Sequence, residues 1–394
     1  MSESAVVRIG YMPLTDSLPL LAAEAWGYFA DEGVQVALQC ETSWATLRDR
    51  LTVGQIDAAP LLAPMVLSTT LGLAGLQVPL MTAYGLGRNG NAITVSKALF
   101  SELSDVAVAD SPLACAHALA DCIRQRRQRH QKQLVWAVVF PFSSHAYLLR
   151  YWLASAGIDP DQDIKMVVLP PSQMADHLRL GHIDGFCSGE PWNSWALMSG
   201  AGQVLLTGHQ IWQNAPEKVL GVSVRWAGQH PQQHAALVRA LFRAGERIAR
   251  APEAALDILA EQHTVAVPQD CLALPFQERL PIGLAQQPVA ASHFHQFGGA
   301  DANFPWQSQA RWLLLQMHCW QQLPERLPSE LVASCWRPDC YREFLHDLTD
   351  APCADAKLEG EHGQSTFVAS VRDRLAILPD TFIDAASYPS VLSP

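Results

Sequence analysis

Four residues stand where strand ends run into helix starts, and their types suit the capture of a small anion: Trp44, His145, Pro171 and Gly189. Trp44 follows Thr42-Ser43, an N-cap signal. His145 follows Ser143-Ser144, either of which can cap a helix and put the imidazole in its first turn. Pro171 opens the turn Pro170-Pro171-Ser172-Gln173. Gly189 lies in Phe186-Cys187-Ser188-Gly189-Glu190-Pro191-Trp192, a strand that ends in a glycine turn and a new helix with proline in its first turn. Helix N-termini at the carboxyl ends of strands present free N–H groups and a positive dipole end. Singly, the four read as a core aromatic, a cap and two turns. Together, at similar corners, they point to an anion cleft.

Other chemistries find no template. Gly85-Leu86-Gly87-Arg88-Asn89-Gly90 matches G-x-G-x-x-G, but Asn91–Val95 alternates like a strand where dinucleotide binding needs a helix, so the run reads as a glycine-rich crossover. There is no G-x-S-x-G, H-E-x-x-H or P-loop. His145 has no cysteine or carboxylate partner in its own motif. His293-Phe294-His295, in a polar loop without an adjacent carboxylate, reads as incidental rather than metal-ligating. The nine cysteines are scattered, with no C-x-x-C, and the five-residue step from Cys335 to Cys340 is wrong for zinc. They read as reduced thiols. Arg124, Arg126, Arg127, Arg129, His130 and Lys132 form one basic run, which reads as a solvated helix face on a chain of net charge −11 and excludes nucleic-acid binding by the whole surface.

The elements that must hold these residues follow from periodicity. Val6–Gly10 alternates as a strand, Leu18 to Phe29 recurs at helical spacing, Gly33 closes that helix, and Val34, Val36 and Leu38 mark a second strand. Strand–helix–strand implies a parallel α/β sheet. An internal echo then appears. Asp49–Ala58 reads D-x-L-x-V-G-x-I-D-A and Asp176–Gly185 reads D-x-L-x-L-G-x-I-D-G, each a helix end, a glycine cap and a buried strand. Two such units imply two similar lobes. Ala58–Gly87 carries no charge, but Pro60, Pro64 and Pro79 interrupt it, so it reads as buried core and not a membrane span. Leu134–Phe140 is a buried strand of the second lobe. Pro231–His263 and Trp306–Leu323 are expected helices, 281–305 a long loop, Ala354–Ser365 a mobile loop, and Val368–Leu378 a final helix.

With those residues in place, the chain resembles the nitrate- and bicarbonate-binding proteins of ABC transporters. The resemblance rests on Phe140-Pro141-(x)3-His145, Leu149-Arg150-Tyr151-Trp152-Leu153-Ala154, Gly157-Ile158-Asp159-Pro160, Pro170-Pro171-Ser172-Gln173-Met174, Gly189-Glu190-Pro191-Trp192, Pro216-Glu217-Lys218 and Trp336-Arg337-Pro338-Asp339-Cys340-Tyr341-Arg342. It runs from Val6 to about Leu348 with motif order kept. It implies a two-lobed, type II periplasmic-binding-protein clamp with the ligand cleft between lobes, lobe 1 formed by 1–100 and 215–394 and lobe 2 by 101–214. The site it implies is Trp44, Ala45, Asn91, His145, Pro171, Gly189 and Lys218, with Ala45 standing where glycine is usual and Asn91 where glutamine is usual.

That set fits nitrate or nitrite. Lys218 supplies a cation, His145 and Asn91 side-chain donors, the backbone at Ala45 N–H groups, and Trp44 an indole N–H or a planar face. No cofactor, metal or catalytic group is implied, and the reading is of a binding protein, not an enzyme. The first ten residues show no export signal or anchor cysteine. The resemblance is therefore to the cytoplasmic nitrate/nitrite-sensor branch, in which the anion controls release of an RNA-binding antiterminator protein. Such a sensor makes no direct contact with nucleic acid or membrane. The alternative is the solute-binding component of a nitrate or bicarbonate transporter.

Overall fold

A computed structural model describes residues 6–389 apart from 74, 105–110, 262–264, 285–286, 300 and 329. Among the described residues, two larger sheets carry the architecture. In the first, Val7–Tyr11 pairs in parallel with Val36–Cys40 and with Ala58, as strand–helix–strand spacing requires. Its other side is Pro216–Ser223, inserted antiparallel between Ala58–Leu62 and Leu80–Asn89. His295–Gln296 adds a short edge beyond Leu80–Asn89. The second sheet runs Lys165–Val168, Val135–Val138, Gly185–Gly189, Asn91–Ser96 and Gly202–Thr207. The chain leaves the first sheet at Asn89, turns at Gly90 and enters the second at Asn91; it returns between Thr207 and Pro216.

The echo is realised in both sheets. Trp44–Thr52 leads through Gly54 to Ala58–Leu62, and Met174–Arg179 leads through Gly181 to Gly185–Gly189. Both linking glycines are left-handed, at φ +75° and +70°, where a side chain would strain the backbone. Of the uncharged stretch, the strand Ala58–Leu62, the helix Ala63–Thr70 and the strand from Leu80 are buried, apart from half-buried Thr70, whereas Leu76 in the link between helix and strand is exposed. No helix among the described residues is long and apolar enough to cross a membrane. All nine cysteines are free. The basic run lies on the helix Pro112–Gln128 and just beyond it, and Arg124, Arg126 and Arg127 pair with Asp121, Glu102 and Asp163, a self-neutralised face.

The tail departs from expectation. Val368–Leu378 is not a helix but part of a hairpin, Thr366–Ala369 against Arg374–Ile377, because the turn at 370–373 closes the chain before a helical turn can propagate. Residues 281–305 are not all loop, since Arg279–Ile282 pairs with Gln287–Ala290. The helical stretch from Pro231 breaks into Pro231–Arg250 and Glu253–Glu261 at Pro252, with 262–263 outside the described residues. Ala354–Ser365 holds Lys357, whose ammonium meets the buried Glu359 at 2.6 Å and also the buried Asp380.

This tail straps across the return crossing. Phe382 stacks on Trp212 at 4.7 Å, and Asp380 accepts the Trp212 indole N–H at 2.7 Å. The Tyr151 hydroxyl lies 2.8 Å from both a carboxylate oxygen of Asp384 and the hydroxyl of Tyr388. Tyr147, on the same helix, donates to Gln322 at 2.7 Å. The helix Ser144–Ala154, which carries His145, is thus gripped from outside its own sheet. A hydrogen bond to a charged acceptor contributes roughly 1.5–3 kcal/mol. Tyr151→Phe should therefore lower the free energy of unfolding by about that amount, read from the urea midpoint at unchanged slope.

Candidate functional site

Five of the seven expected residues meet between the two sheets. The Lys218 side chain is 1% exposed and its ammonium lies 5.4 Å from the Trp44 ring centroid, in cation–π range. Trp44 is the first residue of the helix Trp44–Thr52, capped by Ser43, whose hydroxyl accepts the Thr46 N–H at 3.1 Å. His145 sits in the first turn of Ser144–Ala154, capped by Ser143, which accepts from Ala146 at 3.0 Å. Asn91 and Gly189 are cross-strand partners in the second sheet. A Cβ added at Gly189 would stand 3.6 Å from His145 Nε2 and 3.8 Å from Lys218 Nζ, so only glycine leaves that space beside them.

Two residues are not brought into the group by any described contact. Ala45 is half-buried in the first turn of its helix, where backbone N–H groups lack intrahelical acceptors. Pro171 is buried in the second lobe at the start of a short turn, 171–173.

The structure also supplies three residues absent from the expected set. Asp16 Oδ2 is 3.0 Å from Lys218 Nζ, and its Oδ1 is 3.2 Å from His295 Nε2. Glu217 pairs with Lys218, lies 2.8 Å from His145 Nε2, and accepts the Asn91 amide at 2.7 Å. Asn91 was expected to donate to a ligand; its N–H is directed instead at Glu217. Lys218 was expected as the cation of the site; it is already flanked by two carboxylates.

Successive strand residues normally face opposite sides. Glu217 and Lys218 reach one cluster because the register against Leu80–Asn89 slips between Pro216 and Lys218 and again before Val219, a bulge that re-aims side chains. His295, read as incidental, arrives through the glycine-rich run. A Cβ at Gly87 would be 2.9 Å from the Gln296 carbonyl, and one at Gly90 would lie 2.5 Å from the His295 ring. Those glycines let the 295–297 segment lie against the strand and deliver the imidazole. Their spacing was a signal for close approach rather than for a phosphate. Asp16 left only a faint trace, an acid among the apolar residues Met12–Leu21.

Burial sets the electrostatics. It pushes Asp16 up, but the Lys218 ammonium and the hydrogen bond from His295 more than reverse this, so the carboxylate stays ionised below its usual range. Glu217 is likewise resisted by burial yet drawn down to about 2 by His145 and Lys218. Burial disfavours the charged Lys218, and Asp16 and Glu217 together raise it above its ordinary value. Glu190 has no cation, and burial pushes it up to about 7, only partly offset by the Ser194 N–H. Its carbonyl accepts the Thr15 N–H at 3.0 Å and the Thr15 hydroxyl at 3.1 Å, clasping the Asp16 loop to the Gly189 turn. Trp44 Nε1, Asn91 Oδ1, His145 Nδ1 and Ser188 Oγ are buried without a hydrogen-bond partner among the described residues. Such groups are costly unless something binds them. The donors among them, beside a buried ammonium, suit a small oxyanion.

The shift of Glu190 has a sign that can be tested. The folded protein holds this carboxyl neutral until about pH 7, whereas the unfolded chain ionises it near 4.5. Its contribution is therefore full below pH 4.5 and is lost as pH rises toward 7, by roughly 3 kcal/mol at most. Glu190→Gln should remove this decline, measured as urea midpoints of both proteins across that range.

Comparison with known proteins bears on this site. A family model described as the NMT1-like family matches residues 1–261. Nitrate import ATP-binding protein NrtC of Synechocystis sp. PCC 6803 is 36% identical over 366 residues, 91% of this chain and 52% of that protein. Bicarbonate transport ATP-binding protein CmpC of the same organism is 38% identical over 327 residues, 82% of this chain and 47% of that protein. The chain thus spans about half the length of these two curated relatives. The crystal structure of the periplasmic nitrate-binding protein NrtA from Synechocystis PCC 6803 superposes with a TM-score of 0.84 at 26% identity, over 98% of this chain and 96% of that one.

Proposed function

This chain belongs to the NMT1-like family and has the type II periplasmic-binding-protein fold, and on that premise we propose that it binds nitrate or nitrite between its lobes and acts as a cytoplasmic sensor of the anion. The observation that carries the anion reading is the buried Lys218 ammonium, covered by Trp44 and bordering, with His145, the space beside Gly189. Trp44, Ala45, Asn91, His145, Pro171, Gly189 and Lys218 are the proposed ligand set, with the Trp44 indole N–H as an unspent donor. At an effective dielectric near 20, a cation about 4 Å from a monoanion contributes roughly 4 kcal/mol before desolvation.

One observation supports the sensor reading. Cys40, Cys319 and Cys353 are exposed free thiols, which persist in a reducing compartment. In the proposed mechanism one lobe arrangement holds an RNA-binding antiterminator protein, and the anion favours the other and releases it. The ligand shifts this equilibrium only by its differential affinity for the two. The likeness to NrtA favours a second reading, delivery of nitrate or bicarbonate to a transporter.

Calorimetric titration with nitrate, nitrite, bicarbonate and chloride tests the ligand. Saturable nitrate or nitrite binding near the micromolar range, about −8 kcal/mol, is expected, with Lys218→Ala silent. A protein that binds bicarbonate alone fits the second reading. For the partner, the antiterminator should co-purify with the anion-free protein and elute on addition of saturating nitrate or nitrite. Co-purification indifferent to both anions defeats the sensor mechanism.

A further inference from the structure

We propose that Asp16 is a resident carboxylate that the anion must displace from Lys218, so that anion binding brings a proton with it. The inference rests on the anion-site reading above and deepens it. A carboxylate and a nitrate are both planar oxyanions, and the structure already places one against the ammonium. Asp16 Oδ2 is 3.0 Å from Lys218 Nζ, and the space beside Gly189 that borders His145 and Lys218 lies only 2.9 Å from the same oxygen. An anion oxygen placed there would face a carboxylate oxygen with no proton between them.

Glu217 is the less movable of the two acids. It lies on a central strand and is held by Lys218, His145 and Asn91. Asp16 lies on the three-residue turn Thr15–Ser17, and its side chain is held, among the described residues, by Lys218 and His295. It is therefore the acid that yields.

Charge balance sets the proton requirement. The titratable groups facing Asp16 are Glu217 and Lys218 on one strand, His295 on the edge segment, Glu190 in the Gly189 turn, His145 across the lobes and Cys187 behind Glu217. Asp16, Glu217 and Lys218 together carry one net negative charge before any anion arrives. A monoanion adds a second among buried groups. Uptake of a proton by the displaced carboxylate restores the balance. Affinity then rises as pH falls, by up to about tenfold per pH unit for one proton.

The test is calorimetric titration of nitrate and nitrite into the full chain and into Asp16→Asn, with the thermal midpoint of each recorded. Asp16→Asn should bind at least about tenfold more tightly at neutral pH, since the amide keeps the shape and removes the competing charge. Equal or weaker binding by a folded Asp16→Asn, with the unaltered protein binding, overturns the proposal and leaves the anion site standing. Where Asp16→Asn does not fold, Asp16→Ser takes its place with the same two outcomes. Independently of any variant, tighter binding by the unaltered protein as pH is lowered from about 8 to 6 supports the proposal, and affinity flat over that range overturns it. Silence of all proteins toward every anion overturns the anion-site reading and this proposal together.

Discussion

An ammonium group with 1% exposure cannot exist in this interior without partners, and most of the interlobe arrangement follows from that. The effective penalty for taking an ion out of water is several kcal/mol, returned only by close and well-placed counter-charges. Asp16 and Glu217 provide them, at the price of two further buried ions that need donors in turn. Asn91 from the second sheet, His145 from the helix Ser144–Ala154, and His295 from the edge of the first sheet meet that need. One hydrogen-bonded charge group thus ties residues of the two sheets together at this site. Removing any one member leaves another uncompensated.

The protein's net charge of −11 bears little on this site. Salt screens exposed charges beyond about 8 Å, whereas groups enclosed here interact through protein. Local placement therefore matters more than the overall balance. The same acidic cluster that fixes Lys218 also makes the pocket demanding for an anion, and the unspent Trp44 indole N–H and Ser188 hydroxyl are what remain to receive one.

The scaffold was legible where local rules decide it. The echoed helix–glycine–strand units, the serine caps before Trp44 and His145, and the crossover at Gly90 follow from propensity, turn chemistry and periodicity. Asp16 and His295 were not legible, because they meet across 279 residues and nothing near either announces the other. Glu217 was hidden for a different reason. Alternation assigns it to the face opposite Lys218, and only the bulge overrides that. The tail failed locally: Val368–Leu378 has apolar residues at spacings that suit a helix, yet short paired strands compete well when a turn sits between them. The strap over Trp212 depends on aromatic contacts with residues far away in the chain.

Pro216–Ser223 lies inside the first sheet, between strands made more than a hundred residues earlier. On a ribosome the amino-terminal part of that sheet emerges with a gap at its middle. Ala58–Leu62 and Leu80–Asn89 must wait, apolar edges unpaired, while the whole second sheet is synthesised. Their edges are exposed to misassembly during that interval. In the second sheet Asn91–Ser96 waits in the same way, between Gly185–Gly189 and Gly202–Thr207, which are made long after it. That sheet is nonetheless complete in the chain before Pro216–Ser223 is made, so it can stand as the platform from which the returning strand is threaded home and the first sheet closed last.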